Sequence, residues 1–156
     1  MTHIVHAAAE DIRSEDSLLL IKELSEELGL LYGGDGTAGF QLSDVEVPRA
    51  AFIVARIDGN PVGCGALRPL DETSVEVKRM YTRNGYRRKG IAQAILAEAE
   101  RLANELGYTN LKLQTGPLQP EAAALYERVG YYRIPVFSGN WDRVLAYQKD
   151  LVHEKV

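Results

Sequence analysis

Apolar positions recur at two different periods along this chain, and each change of period marks an element. His3 to Ala8 reads as a short first strand. Over residues 10–28, Leu18, Ile21, Leu24 and Leu28 fall at three- and four-residue spacing, which predicts an amphipathic helix ended by Gly29. Residues 29–48 carry Gly33, Gly34, Gly36 and Gly39 and read as a long loop with room for a short helical turn. A loop of that length inside a compact domain is uncommon unless it binds something. Three strand-like runs follow, Ala51–Ile57, Val62–Leu67 and Val75–Thr82, parted by the turn signals Asp58-Gly59-Asn60-Pro61 and Asp71-Glu72-Thr73. Alternation in the third run sets Val75, Val77, Arg79 and Tyr81 on one face and Glu76, Lys78 and Met80 on the other. Residues 90–106 predict the clearest helix, with Ile91, Ile95, Ala99, Leu102 and Leu106 on one stripe and Gly107 as its stop. Asn110–Thr115 reads as a strand that Gly116-Pro117 breaks. Pro120 suits the first turn of a short helix whose face is Ala122, Leu125, Tyr126 and Val129. Tyr131–Ile134 and Val144–Leu151 read as two closing strands joined through Gly139-Asn140. The order predicts an α/β fold, a mixed sheet with helices on its faces.

Length and composition narrow the class. The 156 residues suit one domain over 1–156, and 46% apolar with 26% charged residues is the soluble globular range. No apolar run approaches the roughly 20 residues of a membrane helix, so no membrane partner is expected. Residues Met1 to His6 lack the basic-then-apolar signature of a secretory signal. The single cysteine, Cys64, excludes an internal disulfide and a cysteine-cluster metal site, and a buried apolar role is expected for it. Together these features predict a cytoplasmic protein without a metal. A net charge of −4 argues against nucleic acid as a partner. The charge is uneven, however. Residues 10–28 hold Glu10, Asp11, Glu15, Asp16, Glu23, Glu26 and Glu27 against Arg13 and Lys22, whereas residues 78–89 hold Lys78, Arg79, Arg83, Arg87, Arg88 and Lys89 with no acid. A local basic patch in an acidic chain points to a specific anionic ligand.

That patch lies where a strand runs through a glycine-containing loop straight into a helix. No Ser, Thr, Asp or Asn precedes the first apolar residue of the helix, so its first N–H groups lack a side-chain cap. Free N–H groups, the positive end of the helix dipole and three consecutive basic residues make an anion site that a diphosphate fits. Two other nucleotide motifs fail. Gly85 and Gly90 have P-loop spacing, but Ile91-Ala92 stand where Lys-Ser/Thr is needed. Gly63-Cys64-Gly65 begins a dinucleotide fingerprint, but Arg68 replaces its last glycine.

Arg87-Arg88-Lys89-Gly90-Ile91-Ala92 matches the R/Q-x-x-G-x-G/A motif of the GNAT superfamily of N-acetyltransferases. The segment Glu121 to Tyr131 resembles that family's A-x-x-L-Y-E-x-x-G-F/Y segment, and Val75–Thr82 resembles its fourth strand. The resemblance implies a mostly antiparallel sheet of about six to seven strands with helices on both faces, splayed between strands four and five. It implies acetyl-CoA in that opening. Backbone groups of Met80, Tyr81 and Thr82 would meet the pantetheine arm and thioester. The basic run at Arg87 and the N–H groups of Arg88, Lys89, Gly90, Ile91, Ala92 and Gln93 would hold the pyrophosphate. Ala92 replaces the commoner glycine, and Gln119 stands where many members have an asparagine that contacts the cofactor arm.

The resemblance further implies direct acetyl transfer to an amine of a small molecule or a peptide, with Glu76 as general base and Tyr126 as the acid for the leaving thiolate. The chemistry needs a base, because an amine with a pKa of about 10 is mostly protonated at neutral pH. Glu76 could instead simply pair with Lys78, and Tyr126 could be a core tyrosine. A non-catalytic acyl-CoA sensor or an interaction domain on the same fold is the alternative; Glu76 and Tyr126 together point to an enzyme. The acceptor would be shaped by residues 10–28, 29–48 and 135–142. The acidic helix, Asp35 and Asp44 suggest a cationic acceptor, whereas Arg68 suggests one with a carboxylate. A homodimer through edge strands fits the family.

Overall fold

The structure, a computed structural model, describes residues 4–37, 39–139 and 143–151. One seven-stranded sheet runs through it: β1 (His6–Ala9), β2 (Ala51–Ile57), β3 (Asn60–Pro69), β4 (Ser74–Thr82), β5 (Asn110–Thr115), β6 (Tyr132–Ile134) and β7 (Leu145–Asp150). The strand order is β1-β2-β3-β4-β5-β7-β6, antiparallel at each pairing except the parallel β4–β5 pair. Helix α1 (Glu15–Tyr32) lies on one face, while α2 (Ile91–Glu105) and α3 (Pro120–Arg128) lie on the other.

Two apolar clusters follow from this layering. On the α2 face, Ile53, Ala55, Val75, Val77, Leu111 and Leu113 pack under Ile91, Ile95, Leu96 and Ala99, with Tyr126 closing one end. On the α1 face, Leu20 packs with Phe40, Val45, Phe52, Val54, Cys64 and Ala66. Gly63 and Gly65 belong to this packing rather than to a nucleotide fingerprint. A Cβ on Gly65 would stand 2.8 Å from Ile95 Cγ2 and 2.9 Å from Met80 Sδ, and one on Gly63 would stand 2.9 Å from Ile91 Cγ2. Their bare backbones let α2 settle directly on β3.

Three expectations need correction. β1 is the segment His6–Ala9 rather than His3–Ala8, with residues 1–3 outside the described part. The first helix begins later and ends later than residues 10–28. Ser14 caps it by accepting from the Ser17 N–H at 3.2 Å, and it runs through Gly29 to Tyr32. Glu15 and Asp16 in its first turn favour that start, because acids there complement the positive end of the dipole. The third correction is in β4. Arg79 takes the left-handed conformation (φ 57°), and the β3–β4 register shifts between Cys64 and Ala66. Arg79 and Met80 therefore oppose Gly65 alone, which is a β-bulge. The bulge inverts the alternation beyond it. Met80 packs with Val75 and Val77 against the α2-face core, whereas Arg79 and Tyr81 join Glu76 and Lys78 on the α1 face. The long loop contains a short 3-10 turn at Leu42–Val45. His3, Trp141 and His153 lie outside the described residues.

Candidate active site

The sheet opens between β4 and β5. Their pairing covers Ser74–Val77 against Asn110–Leu113 and stops there. Lys78, Tyr81 and Thr82 stay paired with β3 around the bulge, and among the described residues Lys78 to Thr82 have no strand partner on the β5 side. Backbone N–H and C=O groups on such an edge need partners. Where the strands part, paired backbone no longer separates the two faces of the sheet.

β4 leads through residues 83–90 to α2. Gly90 is the N-cap, at φ 77°, and no side chain caps the helix. Arg88 is also left-handed, at φ 65°. The amides of Ile91, Ala92 and Gln93 thus begin a helix without a capping oxygen, next to the exposed side chains of Arg88 and Lys89. This is an anion cradle of the kind the sequence pattern predicts. Arg87 differs from its two basic neighbours. Its guanidinium is paired with the Glu27 carboxylate of α1, and its Nε donates to the Thr82 carbonyl at 3.2 Å. Arg83 is held likewise: its Nε and a terminal nitrogen each donate to Glu23 at 3.0 Å. Tyr81 Oη donates to the same carboxylate at 3.1 Å.

Glu76 is 1% exposed. Its partner is Arg68 rather than Lys78: Arg68 donates to Glu76 Oε1 at 2.8 Å. Arg68 also donates to Asp44 Oδ2 at 2.8 Å and to the Gly39 carbonyl at 2.7 Å. The guanidinium therefore ties the segment between α1 and β2 to the middle of β4. Beside it opens a cavity of about 440 Å³ lined by Thr37, Gly39, Phe40, Gln41, Asp44 and Arg68. Arg79 supports the same wall from beneath. It donates to the Gly36 carbonyl at 3.1 Å and its charge lies 5.2 Å from the Phe40 ring centroid, while its buried Nε finds no partner. Burial lowers the pKa of both Arg79 and Lys78.

Tyr126, on α3, lies on the other face among Tyr131 and Tyr147, each with its ring centroid 5.9 Å away. Burial raises the pKa of its phenol, which keeps the proton on oxygen at neutral pH. No group among the described residues hydrogen-bonds that hydroxyl. Glu76 and Tyr126 are thus brought to opposite faces of the sheet, with the β4–β5 opening between those faces. Gln119 is engaged elsewhere: its Oε1 accepts from Tyr32 Oη at 3.2 Å, and Tyr32 Oη accepts from the Leu118 N–H at 3.1 Å. Cys64 is fully buried, its thiol pushed up to about 12 by desolvation, consistent with a packing role. Among the described residues no set of three His, Cys, Asp or Glu side chains could hold a metal, and no helix is long and apolar enough to cross a membrane.

Residues 19–131 match the sequence profile of the Acetyltransferase (GNAT) family. The chain belongs to the GNAT family. This acetyltransferase is 34% identical over 128 residues to an IAA acetyltransferase of Azospirillum brasilense, covering 81% of this chain and 84% of that one. Its fold superposes on the PaiA N-acetyltransferase of Thermoplasma acidophilum, solved with coenzyme A, with a TM-score of 0.73 at 15% identity over 94% of this chain and 99% of that one. It superposes on a phosphinothricin acetyltransferase of Sinorhizobium meliloti, solved with acetyl-CoA, with a TM-score of 0.70 at 22% identity over 97% and 89% of the two chains. The two structural likenesses bear on the fold. The mixed sheet, its helices on both faces and its parting between β4 and β5 are those of the GNAT acetyltransferases.

Proposed function

We propose that this acetyltransferase takes its acetyl group from acetyl-CoA and passes it directly to a primary amine, without a covalent enzyme intermediate. One observation carries the reading. The unpaired edge of β4 leads through the turn at residues 83–90 to the uncapped start of α2, so exposed strand amides and an anion cradle lie at the two ends of one short segment. A long ligand with an amide-bearing arm and a diphosphate matches that sequence of groups. The coenzymes in the two structural neighbours named above support the choice.

Acetyl-CoA supplies an activated thioester carbonyl. Met80, Tyr81 and Thr82 offer backbone groups along the arm. The amides of Ile91, Ala92 and Gln93, with Arg88 and Lys89, take the diphosphate. The acceptor amine must lose a proton before its nitrogen lone pair forms the new C–N bond, and Glu76, directly or through water, is the group that accepts it. As the C–S bond breaks, the Tyr126 hydroxyl gives its proton to the departing thiolate, and the second proton shed by the acylated nitrogen restores the phenol through solvent. A thiol pKa of about 8.5 against a phenol of about 10 makes that transfer a modest step in water. Burial of Tyr126 raises its pKa further, so the transfer gains from an arm that places the sulfur against the hydroxyl.

The test mixes purified protein and acetyl-CoA with a panel of amines and reads thiol release, with mass spectrometry of the acceptor. Release of CoA matched by an acetylated amine is expected. Acetyl-CoA binding without release in the presence of any amine overturns the catalytic part of the proposal.

A further inference from the structure

We infer that the acceptor carries a carboxylate beside its amine, and that Lys78, whose ammonium lies beside Gly39 at the edge of the cavity that Arg68 lines, is the cation that holds it. This rests on the acetyl transfer proposed above.

The argument starts from how the charges around that cavity are paired. Lys78 has Glu76, Asp44, Arg68 and Arg79 as its charged surroundings. Both carboxylates are already held by Arg68, each at 2.8 Å. Asp44 also accepts from the Gln41 N–H at 3.0 Å. Asp35, which lies within the field of Arg79, is exposed and spends Oδ1 on the Thr37 N–H and hydroxyl. Lys78 itself makes no ion pair among the described residues. It is half-buried, and its Nζ would lie 3.4 Å from a Cβ on Gly39, a residue that lines the cavity. An ammonium with three donors, withdrawn from water and left without a carboxylate, is an incomplete arrangement. Three cations, Arg68, Lys78 and Arg79, stand there with Glu76, Asp44 and the exposed Asp35, and neither Lys78 nor Arg79 makes an ion pair among the described residues. A ligand carboxylate at Lys78 completes the pairing; a purely cationic ligand worsens it. The cavity volume falls in the roughly 300–1,000 Å³ range of small-molecule sites, which favours a free amino acid over a lysine on a protein surface.

The opposing cue was the acidic helix. Four of the seven acids of residues 10–28 are paired, Glu23 with Arg83, Glu27 with Arg87, and Glu10 and Asp16 with Arg56, while the exposed Asp11, Glu15 and Glu26 make no ion pair among the described residues. The two acids of α1 that reach the end of β4, Glu23 and Glu27, are thus already engaged.

The experiment measures kcat/KM with acetyl-CoA for free amino acids, for their amides and for the matching decarboxylated amines, on the parent, Lys78→Met and Lys78→Arg. Acetyl-CoA affinity is measured on the same preparations by calorimetry. The parent is expected to favour the free amino acid over its amide by about tenfold to a hundredfold, the scale of one charged hydrogen bond. In Lys78→Met that ratio collapses towards one, mainly through KM, while acetyl-CoA affinity holds. Lys78→Arg keeps part of the preference. Equal or better turnover of amides and decarboxylated amines by the parent overturns the inference and leaves the proposed function standing. So does a ratio unchanged in Lys78→Met. A protein that neither binds acetyl-CoA nor releases CoA with any amine overturns both.

Discussion

Removing the Arg68 guanidinium tests the central clamp of the site without reference to any substrate. Arg68→Met keeps most of the aliphatic stem and deletes the cation between Glu76 and Asp44. The Glu76 side chain is 2% exposed and that of Arg68 21%, so the pair is largely desolvated. Two unit charges at about 4 Å in an effective dielectric of about 20 attract by about 4 kcal/mol. Stripping one partner from a buried pair typically costs about 3–5 kcal/mol, because the other charge is left behind. With Arg68 partly wet, the lower end, about 3 kcal/mol, is expected at neutral pH. The pH dependence has a definite sign. Asp44 is held below the ordinary carboxylate range: partial burial works against this, and the Gln41 N–H and Arg68 outweigh it. An acid with a depressed folded pKa adds stability above its unfolded value and loses it as pH falls through the folded one. Arg68→Met forfeits the part of that contribution that the guanidinium supplies. The gap between parent and variant should therefore stay level from about pH 8 to about pH 5 and narrow as pH falls below about 4, through the depressed Asp44 pKa. Urea unfolding of Arg68→Met, Glu76→Gln and the double variant closes the cycle. The double variant should be less destabilised than the two single losses added together, by about 1–3 kcal/mol. A coupling of zero, or a gap that stays constant with pH, refutes the clamp.

The other expectations concern turnover and coenzyme affinity. Tyr126→Phe keeps the ring against Tyr131 and Tyr147 and should lower kcat by about a hundredfold with acetyl-CoA affinity nearly unchanged; a parental kcat would show that the thiolate leaves unaided. Glu76→Gln should lower kcat by about 10²–10⁴-fold near neutral pH and recover partly at high pH, and equal pH–rate profiles would leave Glu76 a structural role. Ala92→Glu, which puts a negative charge in the first turn of α2, should weaken acetyl-CoA by tenfold or more while the fold survives; unchanged affinity by calorimetry would move the diphosphate elsewhere.

The order of elements was legible because it rests on periodicity, a local property, and Ile91 to Leu106 or Ala51 to Ile57 carry their period within one element. The uncapped start of α2 was legible for the same reason, since a missing cap is visible in adjacent residues. The errors lie where a distant segment decides. Gly29 looked like a stop, yet the helix passes through it and ends at Gly33, whose N–H donates to the Gly29 carbonyl at 2.8 Å. A start at Ser14 was readable from Ser14-Glu15-Asp16, a capping residue ahead of two acids. The bulge at Arg79 was not readable from β4 alone, because it depends on which residue of β3 stands opposite. Its consequence is large: Tyr81 and Met80 exchange faces, so simple alternation misassigned half of the strand's end. The partner of Glu76 was missed similarly. Lys78 is close in sequence, but Arg68 on the neighbouring strand is directly opposite Glu76 in the register.

The uneven charge along the chain takes its meaning from folding. The acids of residues 10–28 and the bases of residues 78–89 looked like two separate surfaces, one for each ligand. In the structure α1 lies over the end of β4, and the two sets meet in two ion pairs, Glu23 with Arg83 and Glu27 with Arg87. Such pairs at the surface contribute little stability individually. Their effect is on selection: they remove Arg83 and Arg87 from the basic patch and leave Arg88 and Lys89 beside the free amides of α2. They also engage Glu23 and Glu27, the two acids of α1 that reach that end of β4. The cavity is lined by Arg68 of β3, with Lys78 and Arg79 of β4 among the charges around that guanidinium, so the inferred acceptor carboxylate is argued from strand residues rather than from the helix whose composition first suggested a cationic acceptor.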